Sequence, residues 1–542
     1  MLSTKKLKLS VAVMAALGAP TAFADAFSAG DLLLTSSLYQ GNSATVSIGQ
    51  TLPGGGASTA VANGSYPNVF NNAVPDPSFG VTSSIYLNEI TTSGAAVQSL
   101  NLTTLSGGQL VTSFPSKSEL SINLSTDGKS VTLMGYVAQV NQLDVSNSNT
   151  PGHVDSTNPV GLTNQRAVAQ VDFGGNLIVS PVNAYSGNNG RAAILANNVN
   201  GTGASNVYLV GNAGNSGKTP APTAAQLDML SQNTGVQLIA SGSTGDSTVV
   251  GQHQGSASSS TGNQYGFSVT QTGVAADKTG KDNNYRGETI FNNTLFVTKG
   301  SGGNGINTVY QVGTTGQLPT AADASSTQIN ILPGFNTTLA ATATTGPNPF
   351  GLWFANDHTL YVADEGDGKA ADAGTSTFAG LEKWVLSDTD GLWHNVYTLQ
   401  SGLNLGQNYD VTGGLNADGS VNPNGTGQTY TAATDGLRNI TGLVNADGTV
   451  TIYGITSTVS TSGDQGADPN KLVAITDNLT YASFAQASGE TFSTLKTAQY
   501  GEVLRGVSFA PTVSAVPVPA AVWLFGSAVA GISVFGRRKR PA

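Results

Sequence analysis

Residues 119–137 read Glu-Leu-Ser-Ile-Asn-Leu-Ser-Thr-Asp-Gly-Lys-Ser-Val-Thr-Leu-Met-Gly-Tyr-Val. Glu119 to Leu124 alternates apolar with polar, Asp127-Gly128 supplies a turn, and Val131 to Val137 alternates again. This is the signature of a β-hairpin. Arg166 to Asp172 and Asn176 to Pro181 extend it to a group of four strands. The same grammar returns along the chain. A second group has Arg191 to Leu195, Asn206 to Val210 and Val236 to Ala240. A third has Arg286 to Phe291, Thr294 to Thr298 and Thr308 to Val312. A fourth has Phe350 to Phe354, Thr359 to Ala363, Leu381 to Leu386 and Trp393 to Leu399. A fifth has Leu437 to Val444, a turn at Asn445-Ala446-Asp447-Gly448, Thr449 to Ile455 and Lys471 to Thr476.

Two remainders complement each other. Leu504 to Phe509 reads as the first strand of a group with no followers. Asp31 to Leu38, Ser84 to Ile90 and Ala96 to Leu102 read as followers with no first strand. Joined, they complete one more sheet, and the chain closes on itself without leaving open edges. The expectation is an all-β chain forming a single β-propeller. It has five internal blades and one shared by the two termini, six in all. The count becomes seven if Thr244 to Val274 holds a further sheet.

Composition agrees with small repeated sheets. The 542 residues include 68 Gly and only 10% charged side chains, which excludes a coiled coil or helical bundle. An apolar share of 39% is too high for a disordered chain. The absence of Cys excludes a disulfide scaffold, a thiolate metal site and a cysteine nucleophile. Some 490 residues between the ends exceed what one core usually supports, and no charged or Pro-rich tether divides them. Repeats, each with its own small core, resolve this.

The ends have a different character. Lys5, Lys6 and Lys8 precede an apolar run from Leu9 to Leu17, followed by Ala22-Phe23-Ala24 and Asp25. This is the pattern of a secretory signal peptide cleaved between Ala24 and Asp25, with a core too short to span a bilayer. At the other end, Val516-Pro517-Val518-Pro519 leads into an apolar segment, 520–535, and then Arg537-Arg538-Lys539-Arg540. Such a segment is about long enough to span, with its basic end held in the cytoplasm. The division expected is thus a signal peptide at 1–24, a propeller at 25–511 and a tail at 512–542. Seven of the 22 basic residues lie in the two ends. The body between them keeps 15 basic against 32 acidic residues, a net of −17, which repels nucleic acid and anionic lipid.

The tail resembles the PEP-CTERM sorting signal of Gram-negative bacteria, through Val516-Pro517-Val518-Pro519-Ala520-Ala521-Val522-Trp523-Leu524-Phe525-Gly526-Ser527 and the terminal basic cluster. Val518 stands where the name-giving pattern has Glu. The resemblance implies two processing partners, signal peptidase and an exosortase. It also implies delivery to the cell surface or exterior after transient anchoring in the inner membrane. Asn-x-x-Arg before a strand, Leu360-Tyr361-Val362-Ala363-Asp364, Leu381-Glu382-Lys383-Trp384 and Leu504-Arg505-Gly506-Val507-Ser508-Phe509-Ala510-Pro511 resemble secreted bacterial propeller proteins. That likeness implies fold and destination rather than activity.

Candidate chemistry is sparse. The body has five Arg, and four of them, Arg191, Arg286, Arg438 and Arg505, sit just before or within an inner strand. There they could ring the channel and hold an anionic ligand, since guanidinium matches carboxylate. The favoured reading is that each binds carbonyls or a carboxylate of the neighbouring blade. Asp364, Glu365 and Asp367 form an acidic, Gly-containing loop that could take Ca2+, although the spacing is not that of an EF-hand. No other cofactor is suggested. The four His lack ligand-like spacing, and no nucleophile elbow, P-loop or dinucleotide fingerprint appears. Trp353, Trp384 and Trp393 fall in one group, where they could stack on sugars or simply pack the core. Two functions follow. One is a monomeric, non-enzymatic surface or matrix protein that binds a partner such as a polysaccharide. The other is a propeller hydrolase or lyase acting at the channel mouth.

Overall fold

The structure is a computed structural model. It describes residues 25–513 apart from 40, 42–43, 48, 54–79, 215–232, 252–282, 301–304, 341–342, 344, 370, 413–428 and 461–467. It is all-β, and five sheets contain the named strands. Three sheets have four antiparallel strands each. The second sheet runs Gly190–Ala196, Asn206–Gly211, Gly235–Ala240 and Thr248–Val250. The third runs Glu288–Phe291, Thr294–Lys299, Thr308–Val312 and Ile329–Ile331. The fourth runs Pro349–Asn356, Thr359–Asp364, Gly380–Leu386 and Trp393–Leu399. The fifth has five strands, Asn408–Thr412, Thr429–Val444, Thr449–Ser460, Lys471–Asn478 and Ser493–Thr497.

The first sheet has nine strands and closes the chain. Glu502–Phe509 pairs antiparallel with Leu32–Leu38, placing Leu32 opposite Phe509 and Leu38 opposite Glu502. Leu32–Leu38 pairs in turn with Thr82–Ile90, which pairs with Ala96–Asn101. The complementary remainders at the two ends do form one sheet. The expected six separate groups nevertheless appear as five hydrogen-bonded sheets. The reason is a short strand unforeseen in the sequence, Leu110–Ser113, which bridges Thr82–Ile90 to Ser130–Val137. It joins the closing group to the group formed by Asn123–Leu124, Ser130–Val137, Arg166–Asp172 and Leu177–Val182. The strand expected from Glu119 begins only at Asn123, because Leu120 has φ 62°, outside extended space. Of the stretch from Thr244 to Val274, Thr248–Val250 is the fourth strand of the second sheet. Residues 252–274 lie outside the described residues.

Hydrophobic cores between successive sheets hold the ring together. Met134 and Val168 pack with Leu195 and Leu209; Ile194 and Tyr208 with Leu295 and Tyr310; Phe296 with Leu352 and Phe354. Tyr361 and Leu381 pack with Leu437 and Ile452; Ile455 and Leu472 with Leu34 and Leu504; Leu33 and Leu87 with Leu133 and Ala169. The fifth of these contacts returns to the first sheet, and the last lies within it, between its two halves. Each interface buries one face of two sheets, which is how thin antiparallel sheets hide their apolar alternation. The arrangement is that of a β-propeller.

Among the described residues no helix is long and apolar enough to cross a membrane. Residues 1–24, the motif Val516-Pro517-Val518-Pro519, segment 520–535 and Arg537 to Arg540 lie outside the described residues.

Candidate functional site: the charged axis

Inner strands of several sheets converge on the axis. One end of it is a cavity of about 320 Å3 whose lining includes Leu124, Ile194, Ile290, Leu352, Ile440 and Val507, one from each inner strand. These backbones approach closely. A Cβ on Gly506 would stand 2.7 Å from the Leu120 carbonyl and 2.8 Å from the Ile122 nitrogen, so that position takes no side chain without displacing backbone.

The four candidate arginines lie along this axis and are buried. Arg191 donates from Nε to Ser118 Oγ at 3.1 Å and from Nη1 to the Tyr285 carbonyl at 2.9 Å, linking residues before and after its own sheet. Arg505 donates to the Phe114 carbonyl at 2.5 Å. Arg438 forms an ion pair with Glu365, Nε to Oε2 at 3.1 Å, with the two side chains 5% and 4% exposed. Arg286 and Arg438 both act on Glu365 and on Lys117, so the four groups share one locus. Burial opposes ionisation of Glu365, but Lys117, Arg286 and Arg438 together outweigh it and hold its pKa below the ordinary value. For Lys117 the attraction of Glu365 is the largest influence. Burial and the neighbouring Arg438 and Arg286 still prevail, and its pKa comes down.

The structure therefore brings together two motifs that look unrelated in sequence, the arginines and one member of the acidic loop. It separates the other members. Asp364 accepts from the backbone nitrogens of Asn348 and Gly366, at 2.5 and 2.9 Å. Asp367 faces Lys369 Nζ at 2.7 Å on the surface. Among the described residues no group of three or more His, Asp or Glu is placed to hold a metal ion, so the three candidate Ca2+ ligands do not form a site. The loop is instead clamped onto the fifth sheet. Gly368 donates to Asp435 Oδ2 at 2.8 Å, and Ser457 donates to the Glu365 carbonyl at 2.6 Å. Burial raises the carboxyls of Asp364 and Asp435, each to about 7.

Two cations were missed as site residues. Lys117 precedes an inner strand as Arg286 does, and that position is the signal. Arg166 is fully buried and donates to the carbonyls of Ser146, Ser148, Asn164 and Asn188, tying down the excursion between two strands. Of the tryptophans, Trp393 is buried against Phe354 and Trp353 lines the axial cavity, while Trp384 faces a cleft between the third and fourth sheets. His358 and His394 are exposed beside Asp388 and Asp390.

No protein-family model and no curated protein matches the sequence. Among solved structures, a protein from Lactobacillus plantarum aligns over 80% of this chain and 98% of its own at 14% identity, with a TM-score of 0.29. The hemagglutinin-neuraminidase of parainfluenza virus 5, with the ligand DANA, aligns over 81% and 86% at 10% identity, with a TM-score of 0.28. Likeness at this level carries no argument about what this chain does.

Proposed function

We propose that the chain is an exported surface or matrix protein whose propeller is a non-catalytic binding module for a polysaccharide. The observation that carries this reading is the bracketing of a closed ring by two export signals. A basic-apolar-A-x-A leader stands before residue 25, and a tripartite tail with Arg537 to Arg540 follows it. In this reading the nine-stranded sheet counts as two blades, since one hydrophobic core lies between its halves and a different inter-sheet core lies on the far side of each, and the ring has six. The tail acts as a PEP-CTERM signal: an exosortase removes it after signal peptidase has removed residues 1–24. The axial cations act as braces, with Arg191 and Arg438 donating to neighbouring sheets and Arg505 to the Phe114 carbonyl beside Leu110–Ser113. Intact-mass measurement of surface-released protein tests the route. The expected mass lacks residues 1–24 and the tail after about Val516, and a mass retaining Arg537 to Arg540 refutes sorting by cleavage. A glycan array probed with the released protein tests the binding role.

A second reading, hydrolysis or lyase chemistry, is favoured by one observation. Glu382 and Asp364 are neighbouring buried carboxyls with pKa raised to about 8 and about 7 by burial, and their mutual repulsion raises Glu382 further. Two buried carboxyls side by side, held protonated toward neutral pH, can serve as acid and base. Release of reducing ends from an array-positive glycan, lost in Glu382→Gln, would establish it in place of simple binding.

A further inference from the structure

We propose that the cleft between the third and fourth sheets is the binding site for a neutral oligosaccharide. This rests on the reading above that the propeller binds a glycan, and it names the place and the chemical class. The cleft encloses about 450 Å3, within the range of small-ligand sites, about 300–1,000 Å3. Its wall is aromatic. Phe335 stacks on Trp384 with ring centroids 3.8 Å apart and planes 17° from parallel, and Phe378 stands in the same lining. Trp384 is half-buried, and its Nε1 donates to Glu382 Oε2 at 2.7 Å. That bond fixes the indole, and a rigid aromatic surface suits the C–H face of a sugar ring.

The polar side of the cleft is made of hydroxyl and amide groups. Thr308 is 1% exposed, lines the cleft, and its Oγ1 finds no partner among the described residues. A buried hydroxyl without a partner costs stability unless something hydrogen-bonds to it. Asn395 offers both a donor and an acceptor from the exposed rim. Such groups match sugar hydroxyls, which both donate and accept.

Charge decides which sugar. Glu382 is the one ionisable residue among the described residues of this lining, and it is 3% exposed. Burial and the nearby Asp364 push its pKa to about 8, so at neutral pH it is largely a neutral carboxyl that can donate. Among the described residues the lining has no Lys or Arg to pair with a uronate, sulfate or phosphate. The cleft overlaps a second cavity of about 540 Å3, with which it shares half its lining, Asn336 and Phe378 included, and which adds Asp367, Lys369 and Asp372. Two carboxylates to one ammonium there disfavour a polyanion. The joined cavities suit a chain of sugars rather than a single ring.

The test uses the full purified chain, titrated calorimetrically with β-1,4-, β-1,3- and α-1,4-linked glucohexaose and with an oligogalacturonate of equal length. The expected result is binding of a neutral hexaose in preference to the galacturonate, with Trp384→Ala and Asn395→Ala each weakening it at least about tenfold. Asn395 is exposed, so its variant remains informative if Trp384→Ala does not fold. A neutral hexaose bound with unchanged affinity by folded Trp384→Ala and Asn395→Ala proteins overturns this site while leaving the glycan reading intact. Preference for the galacturonate overturns the neutral class. A parent protein that binds none of these sugars, and nothing on the array, overturns the glycan reading and this site with it.

Discussion

Replacing Glu365 by Gln keeps the side-chain volume and removes one negative charge from the axis. In the parent, Glu365 Oε2 lies 3.1 Å from Arg438 Nε, and Lys117 and Arg286 also act on the carboxylate. After the substitution three cations face each other without a fully ionised counter-charge, because the nearby Asp435 is held to about 7. Removing one partner of a buried ion pair costs roughly 3–5 kcal/mol, mostly the penalty of the charge left behind. An unfolding entropy of ~2.1 cal/mol/K per residue over roughly 490 residues gives about 1 kcal/mol/K. The melting temperature should therefore fall by about 3–5 °C if the ring melts as one unit. Differential scanning calorimetry at pH 7 measures this directly. Glu365→Gln/Arg438→Met should recover part of the loss, since removing both charges of the pair leaves less uncompensated charge. A single variant melting within a degree of the parent would refute the account of the axis as a mutually neutralised cluster. So would a double variant losing the sum of both single losses.

The ring should be more stable near pH 5 than near pH 8. Asp364 and Asp435 rise from 3.8 to about 7 and Glu382 from 4.5 to about 8 on folding, so between those values the folded state holds protons that the unfolded chain has released. Stability then falls as pH rises through this window, by up to ~1.4 kcal/mol per pH unit for each group, while Glu365, whose pKa is lowered, sets the loss at the acid end. A melting temperature that is flat or rising from pH 5 to 8 contradicts this. Gly506→Ala should lower the melting temperature and raise hydrogen exchange in both Leu32–Leu38 and Glu502–Phe509, because the new methyl meets the backbone of Leu120 and Ile122. Exchange changes confined to the C-terminal strand would show that the closing sheet does not open cooperatively.

Much of the fold was legible because hairpins punctuate themselves. Asp127-Gly128 and Asn445 to Gly448 mark turns, and Gly128 and Gly448 take φ +70° and +84° there. The closing sheet was legible from a deficit at each end. What escaped was short or non-repetitive. Thr248–Val250 and Ile329–Ile331 have three residues each, too few to show alternation. Leu110–Ser113 lies in a run of Ser, Thr and Gly with no partner in its own hairpin, so its bridging role exists only in three dimensions. The cleft escaped for the same reason. Thr308, Trp384 and Asn395 belong to three strands of two sheets, and no local pattern joins them.

The distribution of charge around the axis shows why two motifs had to be read together. Lys117 and Arg286 stand shortly before inner strands, and Arg191, Arg505 and Arg438 lie within them, Arg438 at mid-strand. The inner strand of the fourth sheet, entered through Asn348-Pro349-Phe350-Gly351, has no cation there. That same sheet supplies Glu365, one residue past the end of its Thr359–Asp364 strand, and this carboxylate is the one ion-paired with Arg438. A ring of like-charged repeats would repel itself across the axis, where the four arginines are buried. Breaking the repeat at one sheet, and placing a carboxylate there, offsets that repulsion without any residue from outside the ring. It follows that the arginines and the acidic loop constrain one another. A cation introduced at Asn348 would add to the repulsion, whereas removal of Arg438 would leave Glu365 with two remaining cations and cost less than removal of Glu365.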